Sequence, residues 1–188
     1  WMVFDQPTPL NIGLLAQDGA PIVRDVMQMP LANGRALRLR LNKPQFASAQ
    51  AEGTNWIVSV ADVAKATPEP LATLRNIADA GKASVSIPFE KPARVHRIVD
   101  PEAGDAVLAI TGALPARGFV RRQNFVEFAL ADSVQGVVVE PRADDVQVEL
   151  APDKITLGRP GGLTLSPAEG AAEQAAVVPK AIFDVASW

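Results

Sequence analysis

The stretch Leu37-Arg38-Leu39-Arg40-Leu41-Asn42-Lys43-Pro44 constrains this chain most, because its pattern returns 48 positions later as Val85-Ser86-Ile87-Pro88-Phe89-Glu90-Lys91-Pro92. Leu37, Leu39 and Leu41 alternate with polar residues. A period of two is the signature of a strand with one face buried and one face in water. The likeness continues past the proline, where Trp56-Ile57-Val58-Ser59-Val60-Ala61 lines up with Ala106-Val107-Leu108-Ala109-Ile110-Thr111. That offset is 50, so two extra residues are expected in a loop of the second copy. Trp1-Met2-Val3-Phe4 lines up with Trp56-Ile57-Val58-Ser59, which reads as the tail of an earlier copy in a longer protein.

These repeats lead to an all-β expectation: two consecutive antiparallel meander or sandwich modules with little helix. Residues 1–66 form the first module, 67–165 the second, and 166–188 a linker or terminal strand. The linker reading rests on Ser166 to Ala176, which is rich in Ala, Glu and Gly; Ile182-Phe183-Asp184 either returns to the sheet or begins the next domain. Pro7 and Pro9, like Pro68 and Pro70, lack the N–H that a central strand needs, so those segments are edges or crossovers. Asn11 to Gln17 fits a short helical turn. Asn33-Gly34 suits a tight hairpin between Ile22–Met29 and Ala36–Leu41, because both residues tolerate positive φ.

Phe46–Ala51 is a weaker strand. Leu71–Ala80 is open between helix and strand, and the repeat favours strand, pairing Arg24-Asp25-Val26 with Arg75-Asn76-Ile77. Further strands are expected at Val95–Val99, Phe125–Leu130, Gly136–Glu140, Val146–Leu150, Ile155–Leu157 and Leu163–Leu165, with Gly158 to Gly162 as a hairpin turn. Leu39, Leu41, Trp56, Val58, Ile87, Phe89, Leu108 and Ile110 form the expected core.

With 48% hydrophobic and 21% charged residues, the composition is that of a globular chain, and no window approaches the roughly 20 apolar residues of a membrane helix. A net charge of −3 argues against broad phosphate neutralisation, so nucleic acid is not an expected partner. There is no cysteine, which excludes disulfides and thiolate metal sites and leaves cytoplasm and periplasm both open.

Chemistry is thinly marked. His96 is the single histidine, which removes most nucleophilic triads and multi-histidine metal centres. The Gly158–Gly162 run lacks the Gly-Lys-Ser/Thr ending of a phosphate loop. Asp144, Asp145, Glu149 and Asp153 lack the ligand spacing of a calcium loop. No cofactor is expected. Arg94, Arg97, Arg117, Arg121 and Arg122 are the one concentration of charge, and they are the candidate contacts to an anionic polymer or an acidic partner. Two readings compete: a non-catalytic binding module, favoured because no nucleophile motif is present, and a glycan or peptide hydrolase using carboxylates as acid and base.

The unit from Leu37 to Val60, with its proline at Pro44 and closing strand at Trp56, resembles the AMIN domain, a short β module of periplasmic amidases and secretins. Val85 to Thr111 resembles it too. Asp100-Pro101-Glu102-Ala103-Gly104-Asp105, Pro115-Ala116-Arg117-Gly118-Phe119 and Gly158-Arg159-Pro160-Gly161-Gly162-Leu163-Thr164-Leu165 resemble the region ahead of tetratricopeptide repeats in large alphaproteobacterial envelope proteins of unassigned function. The resemblance implies an exported, periplasmic scaffolding module that binds peptidoglycan or an envelope protein, without membrane insertion by this segment. It carries over no catalytic residue.

Overall fold

A computed structural model describes residues 1–13, 15, 21–53, 55–77 and 82–165. It is an all-β protein of several, mainly antiparallel sheets. No described helix is long and apolar enough to cross a membrane. The strands in chain order are β1 (Met2–Phe4), β2 (Val23–Leu31), β3 (Gly34–Leu41), β4 (Phe46–Glu52), β5 (Asn55–Ala61), β6 (Glu69–Pro70), β7 (Leu74–Asn76) and β8 (Ser84–Pro88). They continue with β9 (Pro92–Val99), β10 (Ala106–Gly112), β11 (Arg117–Gly118), β12 (Gln123–Asn124), β13 (Phe128–Ala131), β14 (Val137–Pro141), β15 (Gln147–Ala151) and β16 (Lys154–Gly158).

The middle layer is the sheet β12-β13-β14-β10-β9. On one face its Ile110, Phe128, Leu130, Val137 and Val139 pack with Val85, Ile87, Ile155 and Leu157 of the sheet β15-β16-β8-β7, and Phe89, Phe119, Phe125 and Leu163 from outside those strands complete this main core. On the other face Ile98 and Ala109 meet Ala36, Val3, Met29 and Leu31 of the sheet β1-β3-β2. Strand β10 is therefore covered on both sides, Leu108 and Ile110 facing one layer and Val107 and Ala109 the other. This explains why its sequence is a continuous apolar run where β3 alternates. The parallel pair β6-β11 is separate.

The registers carry the repeat. In the hairpin β4–β5, Val58 faces Ala49. In β9–β10, Leu108 faces Arg97. The first strands are thus 48 apart and the second strands 50, which places the two extra residues in the turn between β9 and β10. Outside the hairpins the match extends further: Met2 of β1 lies opposite Leu37, and Leu157 of β16 lies opposite Val85. The hairpin β7–β8 corresponds to β2–β3, but Val85 faces Arg75 while Leu37 faces Gln28, so the counterpart of Arg75 is Gln28 instead of Arg24.

Several expectations are corrected. Trp56 and Val58 are exposed, each at 42%, and Leu39, Leu41 and Leu108 are half-buried; Ile87, Phe89 and Ile110 are buried as expected. Among the described residues no second layer lies over the hairpin β4–β5, whose β4 supplies mostly Ala, Ser and Gln. Phe125–Leu130 is no single strand: the Phe125 N–H donates to the Phe128 carbonyl, the two rings stack with centroids 4.6 Å apart, and the chain reverses between β12 and β13. Leu163–Leu165 adds no strand, since the Leu163 N–H donates to Ala83 O and the Thr164 N–H to a Glu127 carboxylate oxygen. Gly158–Gly162 accordingly ends a strand and does not join two.

The β2–β3 hairpin forms without positive φ at Asn33 or Gly34. Gly34 is required for another reason: a Cβ there would run into the Phe4 carbonyl oxygen and lie 2.8 Å from His96 Cε1. Leu71–Ala80 contains the short strand β7, with residues 78–80 outside the described set. The readings over 166–188 and most of the turn at Asn11–Gln17 also lie outside the described residues.

Candidate functional site

The five candidate arginines do not converge. Arg94 and Arg97 sit on β9, the edge of the middle sheet, and an odd separation on a strand sends them to opposite faces. Both are exposed, as is Arg121, and none of the three has an ion-pair partner among the described residues. Arg117 on β11 is already bridged to Glu69 and Glu90, each at 3.1 Å, and these hydrogen bonds raise its pKa above the ordinary arginine value. Arg122 grips both carboxylate oxygens of Glu140 on β14, with the same upward effect. The arginines free to meet an anion are therefore Arg94, Arg97 and Arg121.

His96 is buried and occupied. Its Nε2 lies 2.7 Å from Asp5 Oδ1, and the Thr111 hydroxyl lies 2.8 Å and 3.0 Å from the two Asp5 oxygens. An ionised carboxylate can only accept, so Nε2 carries the proton. Asp5 stands between His96 and Thr111. A nucleophilic triad needs the imidazole in that central place, taking the proton of the hydroxyl, so this cluster is a cross-layer fastening.

Two other polar clusters join parts of the fold. Arg38 on β3 reaches Asp100 at 3.1 Å and Glu102 at 3.3 Å in the β9–β10 turn, Arg40 also pairs with Glu102, and the Arg38 guanidinium lies over the Trp1 ring. Glu127 is buried between β12 and β13, accepting from the Thr164 N–H at 2.9 Å and facing Arg159 at 3.6 Å. Burial works against its charge, but the Thr164 hydrogen bonds, assisted by Glu127's own backbone and Arg159, outweigh it and hold the carboxyl below the ordinary glutamate range. A group so held is a poor proton donor near neutrality. Asp145 is tied to Arg159 at 3.0 Å. Among the described residues no three metal-ligating side chains come together. A small polar cleft of about 210 Å³ lies beside Lys82, Gln147, Glu149 and Arg159.

Among the described residues, exposed large apolar side chains concentrate on the hairpin β4–β5. Phe46 is 60% exposed, and Trp56, Ile57 and Val58 are each exposed. Its base is fastened where Lys43 Nζ lies 2.8 Å from Asp62 Oδ1 and Gln45 donates to the same oxygen at 2.9 Å. The hydrogen bonds from Lys43 and then Gln45, with the Lys43 charge, lower the Asp62 pKa. Among the described residues β5 pairs only with β4, so its outer edge is open. Residues 46–61 contain one charged residue, Glu52, whereas open edges are ordinarily protected by charge or proline. That scarcity was visible in the sequence and is the signal that marks the hairpin as a contact surface.

The chain matches no family model, no curated protein and no solved structure.

Proposed function

We propose that this chain is a non-catalytic binding and scaffolding module, working in the cell envelope on peptidoglycan or an envelope protein. The observation that supports the binding role is the β4–β5 hairpin: an apolar, nearly uncharged pair of strands held out from a packed three-layer β body. The register puts Phe46 and Ile57 on one face of the hairpin and Trp56 and Val58 on the other, so apolar side chains are presented on both sides of an open edge, the arrangement that invites a partner. The envelope setting is supported by the AMIN-like repeat alone. Arg94, Arg97 and Arg121 supply cationic contacts for an anionic polymer, and such contacts weaken as salt screens them.

Sedimentation with purified peptidoglycan at low and high salt tests this reading, with soluble product followed in the same tube. Pelleting that falls with salt and with the triple change R94E/R97E/R121E, and no product, is the expected result. Product formation lost on a carboxylate substitution would favour the hydrolase instead. If the chain neither pellets nor releases product, the polymer reading is wrong, and capture from an envelope extract tests the protein-partner arm.

A further inference from the structure

The repeat contains its own account of what the open edge of β5 is for. Strand β10 is the counterpart of β5, and on the side away from its hairpin partner it carries β14, antiparallel, with Leu108 opposite Val139 and Ile110 opposite Val137. β5 lacks that neighbour among the described residues. A two-stranded hairpin is marginal alone, and three or more strands are needed for independent stability. We propose that the missing neighbour is β5 of a second copy of this chain, paired antiparallel about a two-fold axis at Val58. The product is a continuous four-stranded sheet β4-β5-β5-β4.

The strand is self-complementary in that register. Trp56 falls opposite Val60 of the other copy, an aromatic–β-branched pair of the kind that stabilises antiparallel sheets, and Ile57 falls opposite Ser59. Asn55–Ala61 has no charge, so no like charges oppose each other across the axis. The other edge of the hairpin fits less well: self-pairing of β4 about Ala49 would set Glu52 against Phe46. A two-fold interface uses one patch twice and closes on itself, which removes the exposed edge from both copies.

Sedimentation velocity of the whole chain across a concentration series tests the pairing. Wild type is expected to shift from monomer to dimer as concentration rises. W56K/V60K sets lysine against lysine at both ends of the register and is expected to remain monomeric. W56E/V60K sets glutamate against lysine and is expected to recover the dimer, which separates register-specific repulsion from simple damage to the hairpin. A wild type that stays monomeric at every concentration overturns the proposal and leaves the edge to a different protein. A dimer that survives W56K/V60K, or monomers for both variants, overturns it as well. Running R94E/R97E/R121E, whose changes lie away from β5, through the same concentration series separates the two readings: a variant that no longer pellets with peptidoglycan yet still dimerises leaves the pairing standing whatever the fate of the polymer reading.

Discussion

His96 Nε2 and Asp5 Oδ1 stand 2.7 Å apart, across 91 residues of chain, so the one histidine holds the segment after β1 against the edge strand β9. The pair joins two layers whose apolar contact is small, built from Ile98, Ala109 and Ala36 with a few partly buried neighbours. Asp5→Ala, His96→Ala and the double variant form a cycle. The expected coupling is about 0.5–3 kcal/mol by urea unfolding, since contacting residues are not additive. Strict additivity would show the two side chains to be independent.

Gly34 sits against both Phe4 and His96. Gly34→Ala should destabilise by about 1–3 kcal/mol, the usual cost of overpacking. Adding His96→Ala removes only the ring, and the Phe4 carbonyl still blocks the new methyl, so the double variant should not regain wild-type stability. Thermal unfolding of the two variants decides this, and full rescue would place the crowding on His96 alone.

Phe89 and Leu41 hold equivalent places in the two copies but differ in burial, Phe89 being 1% exposed and Leu41 half-buried. Phe89→Ala is expected to cost about 3–5 kcal/mol, because its ring fills the space over Gly112 in the main core. Leu41→Ala should cost about 1 kcal/mol, the level of an ordinary substitution. Equal losses in chemical unfolding would show the two copies to be packed alike.

Glu127 gives the fold a sensitivity to acid. Its pKa is lower folded than unfolded, so in the window between them the unfolded chain binds more protons, and stability rises with pH there. The contribution is full above the ordinary glutamate range and is lost as pH falls through that range toward the lowered value. Glu127→Gln is expected to cost about 1–3 kcal/mol at neutral pH, the range for a buried charged hydrogen bond, and to flatten the acid side of the stability profile. Denaturant midpoints for both proteins between neutral and acid pH make the comparison. Parallel profiles would mean that Glu127 does not carry the sensitivity.

The strands of the repeat could be read from the chain because alternation reports a half-buried face, and Leu37–Leu41 and Val85–Phe89 both alternate. What covers each strand was not legible. Trp56 and Val58 show the same alternation as a core strand, and only the small residues of β4 hint that no described residue forms a layer above them. Phe125 and Leu163 depart from the strand pattern for a different reason. The Phe125 N–H closes a local turn onto the Phe128 carbonyl inside an apolar run that reads as strand, whereas the Leu163 N–H finds Ala83, eighty residues away, which comes close only in the fold. The arginines of residues 94–122 form a cluster in the sequence, but β9 divides them between its faces and Glu69, Glu90 and Glu140 claim two of them.

The strands that flank β3 and β8 arrive from opposite directions along the chain. β1 precedes β3, whereas β16 follows β8 by more than sixty residues. On a ribosome, the first sheet has all its strands once Leu41 has emerged, but β8 must wait with one side unclosed until Gly158 is made. Pairings between distant residues are the slow ones, and an unclosed apolar strand is vulnerable while it waits. The order of synthesis therefore makes the first sheet the early folding event and the closing of β16 onto β8 the late one, with nascent chains that stop short of β16 the most exposed to misassembly.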